Sequence, residues 1–426
     1  MSGALVIILF IFLLCSGLPI AVSMGLPSAL YLMVAGIPAS QLIQRMVTSL
    51  NSFPLLAVPL FILAATLMNT SGITQRLFEF SKLIVGRMRG GLAQVNIFGS
   101  LVFAGMSGAA LADIGGIGSI EIKAQTDQGY PIEVSAALTA ASATIGPIFP
   151  PSIPLIIYAA ASESSSIRLL MSGVFPGLLI TFALMVQVAI LARKYNWPRG
   201  VERKFTKQEV LTVLKRGIPS MLMPVFMLVG MLSGFFTPTE VAAVAVAYAT
   251  VLSMAYKELT VSSFINACVE TVKSTASVLF IVAAAAIFAW VLTVEQFPQR
   301  ASAFMLTVSD NPYVLLLIAN VILLLAGMLL ESNSAIMILT PILLPPLMAA
   351  GVDPIHFGLV MVFNLMIGML TPPVGMSIYM LSPITGLPVN KLFKAVTPYL
   401  LALLVALMIL TFVPQISLWL PNLLFT

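Results

Sequence analysis

Apolar stretches of about 15 to 20 residues alternate with short polar connections along almost the whole chain. Ile218 to Phe236 and Tyr399 to Val413 are two such stretches. A transmembrane α-helix needs about 20 apolar residues, whereas a membrane β-strand needs only about 10 and alternates between its two faces. The pattern therefore predicts an all-α polytopic membrane protein.

Two of the apolar stretches contain residues that break helices. The first break (residues 144–152) has Gly146 and three prolines, and the second break (residues 367–373) contains Gly368 followed by Pro372 and Pro373. Proline removes a backbone donor and clashes with the preceding turn. Backbone groups left unpaired at membrane depth are tolerated only inside protein or beside a watery cavity. We therefore predict two broken transmembrane helices, at about 133–161 and 355–381, each a candidate binding site.

Each broken helix is preceded by two apolar segments that meet at a short turn. The first pair covers about 91–128 and turns at Ser107 to Ala110; the second covers about 313–350 and turns near Glu331. About 15 residues on each side are too few to cross about 30 Å of hydrocarbon at 1.5 Å per residue. The spacing predicts two re-entrant helical hairpins, whose turns we call tip 1 and tip 2.

The remaining segments are assigned by their periodicity. Residues 3–36 predict one or two helices, and residues 74–89 predict a basic amphipathic arm helix on the membrane surface. In the second half we expect an amphipathic piece ending at Lys273, a separate helix from Ala276 to Val294, and a polar connector over residues 295–311.

The second half of the chain repeats the first with a constant shift of 222 residues. Under this shift Gly105-Met106 falls on Gly327-Met328, Ile145-Gly146 on Ile367-Gly368, and Pro150-Pro151 on Pro372-Pro373. The match predicts an internal duplication, with one repeat over residues 1–216 and the other over residues 217–426.

Composition and charge fix the class and the orientation. Hydrophobic residues make up 60% of the chain and charged residues 8%, whereas a soluble domain carries about 25% charged residues. Eight Lys and Arg residues lie within residues 193–216, but none follows Val413. The positive-inside rule places the basic loop 193–216 in the cytoplasm and the C-terminus in the periplasm, so the repeats are inverted, as in secondary transporters. The basic charge needs no nucleic-acid partner.

The tips and breaks are the candidate sites for ions. Carbonyl oxygens at a break and hydroxyl or amide oxygens at a tip form a hard ligand set that suits Na⁺. For any single Ser or Thr, a structural hydrogen bond within the helices is an equally open interpretation. We predict that the first sodium site consists of Ser107, Gly146, Phe149 and Pro151. The second consists of Ser332, Asn333, Gly368, Thr371 and Pro373.

Two acidic residues and part of the first break are the candidate substrate contacts. Asp113 follows tip 1 by about one turn and Glu331 lies on tip 2. A carboxylate inside a membrane is costly, so it is either functional or paired as a helix cap. We add Pro150 and Ser152, which lie in the first break.

Three functions other than secondary transport are conceivable for such a membrane protein. Gly105-Met106-Ser107-Gly108 matches the G-x-S-G of rhomboid-type intramembrane serine proteases, with His356 as the conceivable base. Such a protease would not need a duplication, and the aligned position in the second half is Leu329. A channel would also use broken helices. No Walker A motif is present, and we expect no enzymatic activity.

The hairpins and breaks together resemble the large membrane subunit (DctM-like, M subunit) of tripartite ATP-independent periplasmic (TRAP) transporters. The resemblance covers essentially the whole chain. Its most specific segments are 104–108 with Ala112-Asp113, 146–152 and 368–375.

This resemblance implies an elevator-type transporter in the bacterial inner membrane. It implies Na⁺-driven uptake of an organic acid, such as sialic acid or a C4-dicarboxylate, delivered by a periplasmic substrate-binding protein (P). It also implies a small four-helix membrane subunit (Q), expected as a separate chain because the resemblance begins close to Met1. A stand-alone sodium/dicarboxylate symporter, which has similar hairpins, is the alternative.

Overall fold

The computed structural model describes residues 3–200 and 205–425, which form helices connected by short loops. Within these ranges there is no β-strand, only an isolated bridge between Arg89 and Arg199. Eight helices of the described chain are long and apolar enough to cross a membrane. The predicted all-α polytopic membrane protein is confirmed. Arg203 and Lys204 of the basic loop lie outside the described residues.

The described residues of the first half form twelve α-helices. They are α1 (Gly3–Cys15), α2 (Ile20–Val34), α3 (Ala39–Leu50), α4 (Ala57–Thr70), α5 (Ile73–Val85), α6 (Gly91–Ser107), α7 (Ala110–Asp113), α8 (Ser119–Asp127), α9 (Ile132–Ser142), α10 (Ile153–Ser162), α11 (Ser166–Ser172) and α12 (Val174–Lys194).

Ten α-helices are formed by the second half, over residues 217–425 together with the start of α13. They are α13 (Lys207–Leu232), α14 (Pro238–Ala255), α15 (Val261–Val294), α16 (Phe297–Val308), α17 (Pro312–Leu329), α18 (Ser332–Ala349), α19 (Pro354–Gly368), α20 (Met376–Thr385), α21 (Val389–Phe412) and α22 (Gln415–Leu424).

One expectation for the second half was wrong. The amphipathic piece before Lys273 and the apolar helix after it form one 34-residue helix, α15. Its sequence contains neither Gly nor Pro, and a capping box between Thr260 and Ser263 fixes its start, so nothing interrupts it. The polar connector over 295–311 contains the helix α16, which has Pro298 in its first turn.

Both helical hairpins are present at the expected positions. In the first, α6 ends at Ser107, Gly108 adopts the left-handed conformation (φ 63°), and α7 starts at Ala110. A π-helical segment, Ile114–Gly118, joins α7 to α8. In the second, a single extended residue, Leu330, and the helix-capping Glu331 separate α17 from α18.

The two apolar helices that contain the breaks are interrupted where the prolines predict. Non-helical residues 146–152 separate the 3₁₀ turn at the end of α9 from α10, and residues 369–375 separate α19 from α20. The Pro150-Pro151 and Pro372-Pro373 peptide bonds are both cis. Residues 146–152 are all buried, whereas residues 372–374 are exposed. The two breaks therefore differ in their exposure at the surface of the chain.

Buried polar side chains fasten each hairpin to the broken helix of its own half. In the first half, the Ser142 hydroxyl donates to Asn96 Oδ1 (2.7 Å), and the Asn96 amide donates to Thr139 Oγ1 (2.8 Å), joining α6 to α9. In the second half, the Asn364 amide donates to Asn320 Oδ1 (2.8 Å), joining α19 to α17. Hydrogen bonds between buried amides and hydroxyls fix the relative depth of these helices.

A second group of helices packs alongside the hairpins. The helix α4 packs against both α14 and α15, and α15 also contacts α2, α3 and the hairpin helix α18. We call the surface formed by α4 and α15 the α4–α15 wall. The duplication, its inversion and its boundaries stay predictions, although α6, α9 and α10 begin 221 to 223 residues before α17, α19 and α20.

Candidate functional site

Tip 1 lies directly on the first break. The backbone N–H of Ile153 donates to the Gly108 carbonyl (3.2 Å). A Cβ atom built on Gly108 would lie 2.5 Å from the Pro151 carbonyl oxygen, and one built on Gly146 would lie 3.5 Å from the carbonyl carbon of Ala109. The contact is backbone against backbone, which explains why glycine occupies the tip.

Several oxygens at this contact lack partners. The Ser107 hydroxyl belongs to a side chain that is 1% exposed, and it has no hydrogen-bond partner among the described residues. Among the hydrogen bonds of the described chain, none ends on the carbonyl oxygens of Gly146, Phe149 or Pro151. Buried oxygens without partners are costly, and such a set of one hydroxyl and three carbonyls fits the chemistry of a Na⁺ site. The residues predicted for the first sodium site thus have the required donor atoms.

Ser152 holds the first break together. The Ser152 hydroxyl donates to the Pro147 carbonyl and accepts from the Leu155 N–H (3.2 Å), so it caps α10. Ser152 and Pro150 are both buried. In this conformation they shape the break, and their predicted contact with substrate stays a prediction.

The second predicted sodium set is more fully hydrogen-bonded than the first. The Thr371 hydroxyl donates to the Ile367 carbonyl (2.8 Å), and its N–H donates to the Gly368 carbonyl (2.9 Å). Pro373 is exposed. Ser332 donates to Glu331, but the Asn333 Oδ1 atom is buried without a partner in the described chain. Tip 2 therefore offers one unpaired side-chain oxygen, and the break offers fewer free groups than its counterpart.

Glu331 acts as a helix cap at tip 2. Its Oε2 atom accepts from the N–H groups of Asn333 (3.0 Å) and Ser334 (3.2 Å), and its Oε1 atom accepts from the Ser332 hydroxyl (3.1 Å). These bonds stabilise the start of α18 and offset the carboxylate charge.

Both tips and both breaks meet around two adjoining cavities. The smaller, of about 330 Å³, is lined by Ala109 of tip 1, Pro147 of the first break, Glu331 of tip 2 and Met369 of the second break. The larger, of about 370 Å³, is lined by Ser107. Six residues line both cavities, so the two are continuous neighbours. They are Ile62, Ala109, Leu111, Ala112, Ile153 and Ser274.

The opposite side of these cavities is the α4–α15 wall. Asn69 and Thr66 of α4 and Glu270 and Ser274 of α15 line the larger cavity, and Ser277 lines the smaller. None of these residues was predicted from the sequence to line a site. Their signal was the recurrence of polar side chains at positions i, i+4 and i+7 of one apolar helix, and dividing α15 near Lys273 concealed it.

Asp113 lies inside the first hairpin. It is 1% exposed, its carboxylate oxygens have no hydrogen-bond partner in the described chain, and it is not among the residues that line the two cavities. Glu121, on α8, is buried in the same way. The structure therefore brings Glu331, but not Asp113, to the cavities.

Comparison with known proteins decides the family. The profile of the family described as "Tripartite ATP-independent periplasmic transporter, DctM component" matches residues 7–416. The chain belongs to this family. It is thus a TRAP large permease subunit, as the resemblance implied.

Two relatives and one solved structure describe the similarity. The large permease subunit is 42% identical over 413 residues to the sialic acid TRAP transporter large permease protein SiaM of Vibrio cholerae, covering 96% of each chain. It is 39% identical to the C4-dicarboxylate TRAP transporter large permease protein DctM of Pseudomonas aeruginosa, covering 94% of each. The crystal structure of the Alcanivorax borkumensis YdaH transporter has a similar fold (TM-score 0.62, 16% identity, covering 88% of this chain and 87% of that one).

Family membership settles the class of function. TRAP large permeases are multi-pass membrane subunits that work with a small membrane subunit and a periplasmic binding protein, and they are not enzymes. The structure separates the two residues that a serine protease would have to bring together. His356 Nδ1 is 2.8 Å from Ser417 Oγ, whereas the Ser107 hydroxyl has no hydrogen-bond partner in the described chain, so Ser107 and His356 do not form a hydrogen-bonded pair.

Proposed function

We propose that this subunit imports an organic acid across the bacterial inner membrane, driven by the inward movement of Na⁺. The observation that carries the proposal is the meeting of both tips and both breaks around the two cavities. Half-helix ends and unwound backbone at such a place supply the carbonyl oxygens for Na⁺ and the N–H groups for a carboxylate.

Sodium is the ion that the unpaired oxygens favour. The first break and tip 1 offer only oxygen atoms, from Ser107, Gly146, Phe149 and Pro151, and no sulfur or imidazole. Thr371, Gly368 and Pro373, with Ser332 and Asn333 of tip 2, are proposed as the second site. Because the first set has more unpaired oxygens, we expect it to bind Na⁺ more tightly.

The transported solute is proposed to be an organic acid of the kind carried by the relatives, whose names specify sialic acid and C4-dicarboxylates. A periplasmic binding protein delivers it, and a small four-helix subunit accompanies the permease in the membrane. The basic loop 193–216 is placed in the cytoplasm and the C-terminus in the periplasm, following the positive-inside rule.

We propose an elevator mechanism, in which the hairpins and broken helices move together against the α4–α15 wall. The cavities lie between these two groups of helices. The first hairpin and α4 approach each other closely, as two surfaces that slide past one another would. A Cβ atom built on Gly116 of the first hairpin would lie 2.6 Å from Asn69 Oδ1 of α4. Because Gly116 has no side chain, the side-chain amide of Asn69 can pack directly against the backbone of the first hairpin.

Uptake into proteoliposomes tests the proposal. The permease, its small subunit and its binding protein are expected to accumulate labelled sialic acid or succinate only under an inward Na⁺ gradient, with an equal K⁺ gradient as the control. Uptake that does not depend on Na⁺ would refute the sodium drive. Uptake that needs no binding protein would favour the stand-alone symporter.

Cross-linking tests the elevator. Cysteines replacing Ala112 of the first hairpin and Ser274 of α15 face the same cavity, in a background with Cys15 and Cys268 replaced by serine. Joining them with a short bis-methanethiosulfonate is expected to stop uptake, and a reductant is expected to restore it. Full uptake in the cross-linked protein would show that the hairpin does not move relative to α15.

A further inference from the structure

Two acidic side chains inside the first hairpin have no partner for their charge. Asp113, the last residue of α7, is 1% exposed, and Glu121 of α8 is fully buried. None of their four carboxyl oxygens takes part in a hydrogen bond within the described chain. A buried carboxylate without partners is costly in a membrane protein, so it must be neutralised by a proton or by another cation.

Both carboxyl groups face α6. A Cβ atom built on Gly99 of this helix would lie 2.8 Å from Glu121 Oε1. Ser100, the next residue, lies beside the Asp113 carboxyl group, and the two acids are close enough to interact electrostatically. Two ionised carboxylates so close together would repel each other.

The hydrogen bonds around Ser100 run away from Asp113. The Ser100 hydroxyl donates to Ser142 Oγ (3.1 Å), and the Ser142 hydroxyl donates to Asn96 Oδ1 (2.7 Å). The Ser100 proton is therefore engaged, and only lone pairs of its oxygen remain for Asp113. An ionised carboxylate can only accept hydrogen bonds, whereas a protonated carboxyl group can donate one. Ser100 thus fits a protonated Asp113 and offers no donor to an ionised one.

A third polar side chain beside the acids is also buried without a partner. Gln125 is 1% exposed, lies one turn after Glu121 on the same face of α8, and has neither amide atom hydrogen-bonded in the described chain. Because an amide can both donate and accept, Gln125 can serve Glu121 in either protonation state.

A proton suits this place better than a metal ion. Neither acid lines the two cavities, and neither belongs to the oxygen sets proposed for Na⁺ at the tips and breaks. The described residues contain no group of three or more His, Cys, Asp or Glu side chains that could hold a metal ion. A metal ion needs space and several ligands, whereas a proton needs a single lone pair.

The fold of a hairpin does not require these polar side chains. In the second hairpin, the residues shifted by 222 positions from Asp113, Glu121 and Gln125 are apolar. They are Ala335, Leu343 and Leu347, all buried in α18. The second hairpin therefore packs with apolar side chains at the places where the first contains two acids and an amide.

We propose that Asp113 and Glu121 form a proton-binding site, which holds at least one proton at neutral pH. While the proton is bound, Ser100 donates to Ser142 and joins α6 to the broken helix. Release of the proton leaves a carboxylate that attracts the Ser100 hydroxyl away from Ser142. The site therefore makes the joint between the first hairpin and its broken helix sensitive to alkaline pH. This inference does not depend on which ion or solute is transported.

No other buried charge faces the acid pair. The helices α5, α6, α9 and α20 pack against α7, α8 or the π-helical segment between them, and the titratable side chains on these elements, apart from the pair itself, are exposed or partly exposed. They are Arg76, Glu79, Lys82, Lys123, Asp127, Glu133 and Tyr379. Tyr130, which follows α8, is buried, but its hydroxyl donates to the Pro198 carbonyl (3.2 Å).

Infrared spectroscopy of the purified complex tests the proposal, since a protonated carboxylic acid has a carbonyl stretch that carboxylates and amides lack. At about pH 7, where ordinary carboxyl groups are ionised, we expect this band in the unmodified complex. In the double variant Asp113→Asn/Glu121→Gln we expect it to lose intensity, and the difference between the two spectra removes the contribution of other acids. An equal band in the two folded proteins, or no band in the unmodified complex, would overturn the inference.

Two controls accompany the spectra. Glu79→Gln changes an exposed glutamate on α5 and is expected to leave the band unchanged. Spectra recorded in NaCl and in choline chloride are expected to show the same band. Its disappearance on addition of NaCl would show that Na⁺, rather than a proton, neutralises the pair, and the inference would fail.

Unfolding of the unmodified complex gives a readout that needs no variant. Because unfolded carboxyl groups are ionised above about pH 6, each proton that only the folded state keeps makes the complex less stable as the pH rises. The unfolding equilibrium constant is expected to increase by up to about tenfold per pH unit for each such proton. The denaturant midpoint should therefore fall between about pH 7 and pH 9, and less steeply in Asp113→Asn. A midpoint that does not fall in the unmodified complex would contradict the proton site.

Discussion

The contact between tip 1 and the first break can be tested by adding a single methyl group. Gly108 has φ +63°, and a Cβ atom built on it would lie 2.5 Å from the Pro151 carbonyl oxygen. That oxygen belongs to the backbone of the break and cannot rotate away. Gly108→Ala must therefore push the tip and the break apart.

The expected magnitude has two parts. A non-glycine residue in the left-handed conformation costs about 1–2 kcal/mol. Relieving the clash requires a separation of roughly 1 Å, and overpacking of this kind costs about 1–3 kcal/mol. The first part affects folding alone. The second acts on the arrangement of Ser107, Gly146 and Pro151, which is the proposed first sodium site.

The chain supplies a matched control. Gly129, at the end of the first hairpin, has φ +87°, and a Cβ atom built on it would have no atom within 4 Å. Gly129→Ala has the same conformational cost without the clash. The difference between the two variants therefore isolates the contact between tip and break.

The assay is the initial rate of uptake in proteoliposomes as a function of external Na⁺, with thermal unfolding of the purified complex measured in parallel. Gly108→Ala is expected to raise the half-saturating Na⁺ concentration about 5- to 100-fold, since 1.4 kcal/mol corresponds to a factor of ten. Gly129→Ala is expected to leave it unchanged. Equal Na⁺ dependence in the two variants would refute the assignment of sodium to this contact.

Three further results are expected. Ser107→Ala should raise the half-saturating Na⁺ concentration more than Thr371→Val, because Ser107 is 1% exposed whereas Thr371 is only partly buried, and water replaces a lost ion ligand more easily at a more exposed site. The reverse order in the uptake assay would contradict the inequality of the two sites. Gly368→Ala should lower the yield of folded complex in size-exclusion chromatography, because its Cβ would lie 2.6 Å from the Gly327 backbone. An unchanged yield and melting temperature would show that the second hairpin can move away from the break at little cost. A cysteine replacing Lys207 should react with a membrane-impermeant maleimide only from the cytoplasm, and one replacing Asn422 only from the periplasm; the opposite labelling would reverse the topology.

Most of the fold was readable from local sequence. The breaks, the tips and the membrane helices were predicted to within a few residues, because proline, glycine and the length of an apolar stretch act on the chain where they stand. The error fell in the second half. The single helix α15 was divided near Lys273, where polarity changed without any residue that ends a helix.

The predicted site residues were located less completely. The oxygen atoms of the first proposed sodium set have no hydrogen-bond partner among the described residues, while the second set is partly hydrogen-bonded within its own helix. The polar face of α15 and Asn69 were missed, since a few hydroxyl groups on an apolar helix resemble ordinary intrahelical hydrogen bonding.

By itself, the sequence determined that helices break at residues 144–152 and 367–373, and that short hairpins precede them. These are consequences of backbone chemistry and chain length. Only the tertiary structure decided that both tips and both breaks share neighbouring cavities, and that the α4–α15 wall faces them. Distances between residues more than 200 positions apart depend on how the helices pack, and no local pattern encodes them. Residues 146–152 of the first break are buried, and tip 1 packs against them through backbone contacts.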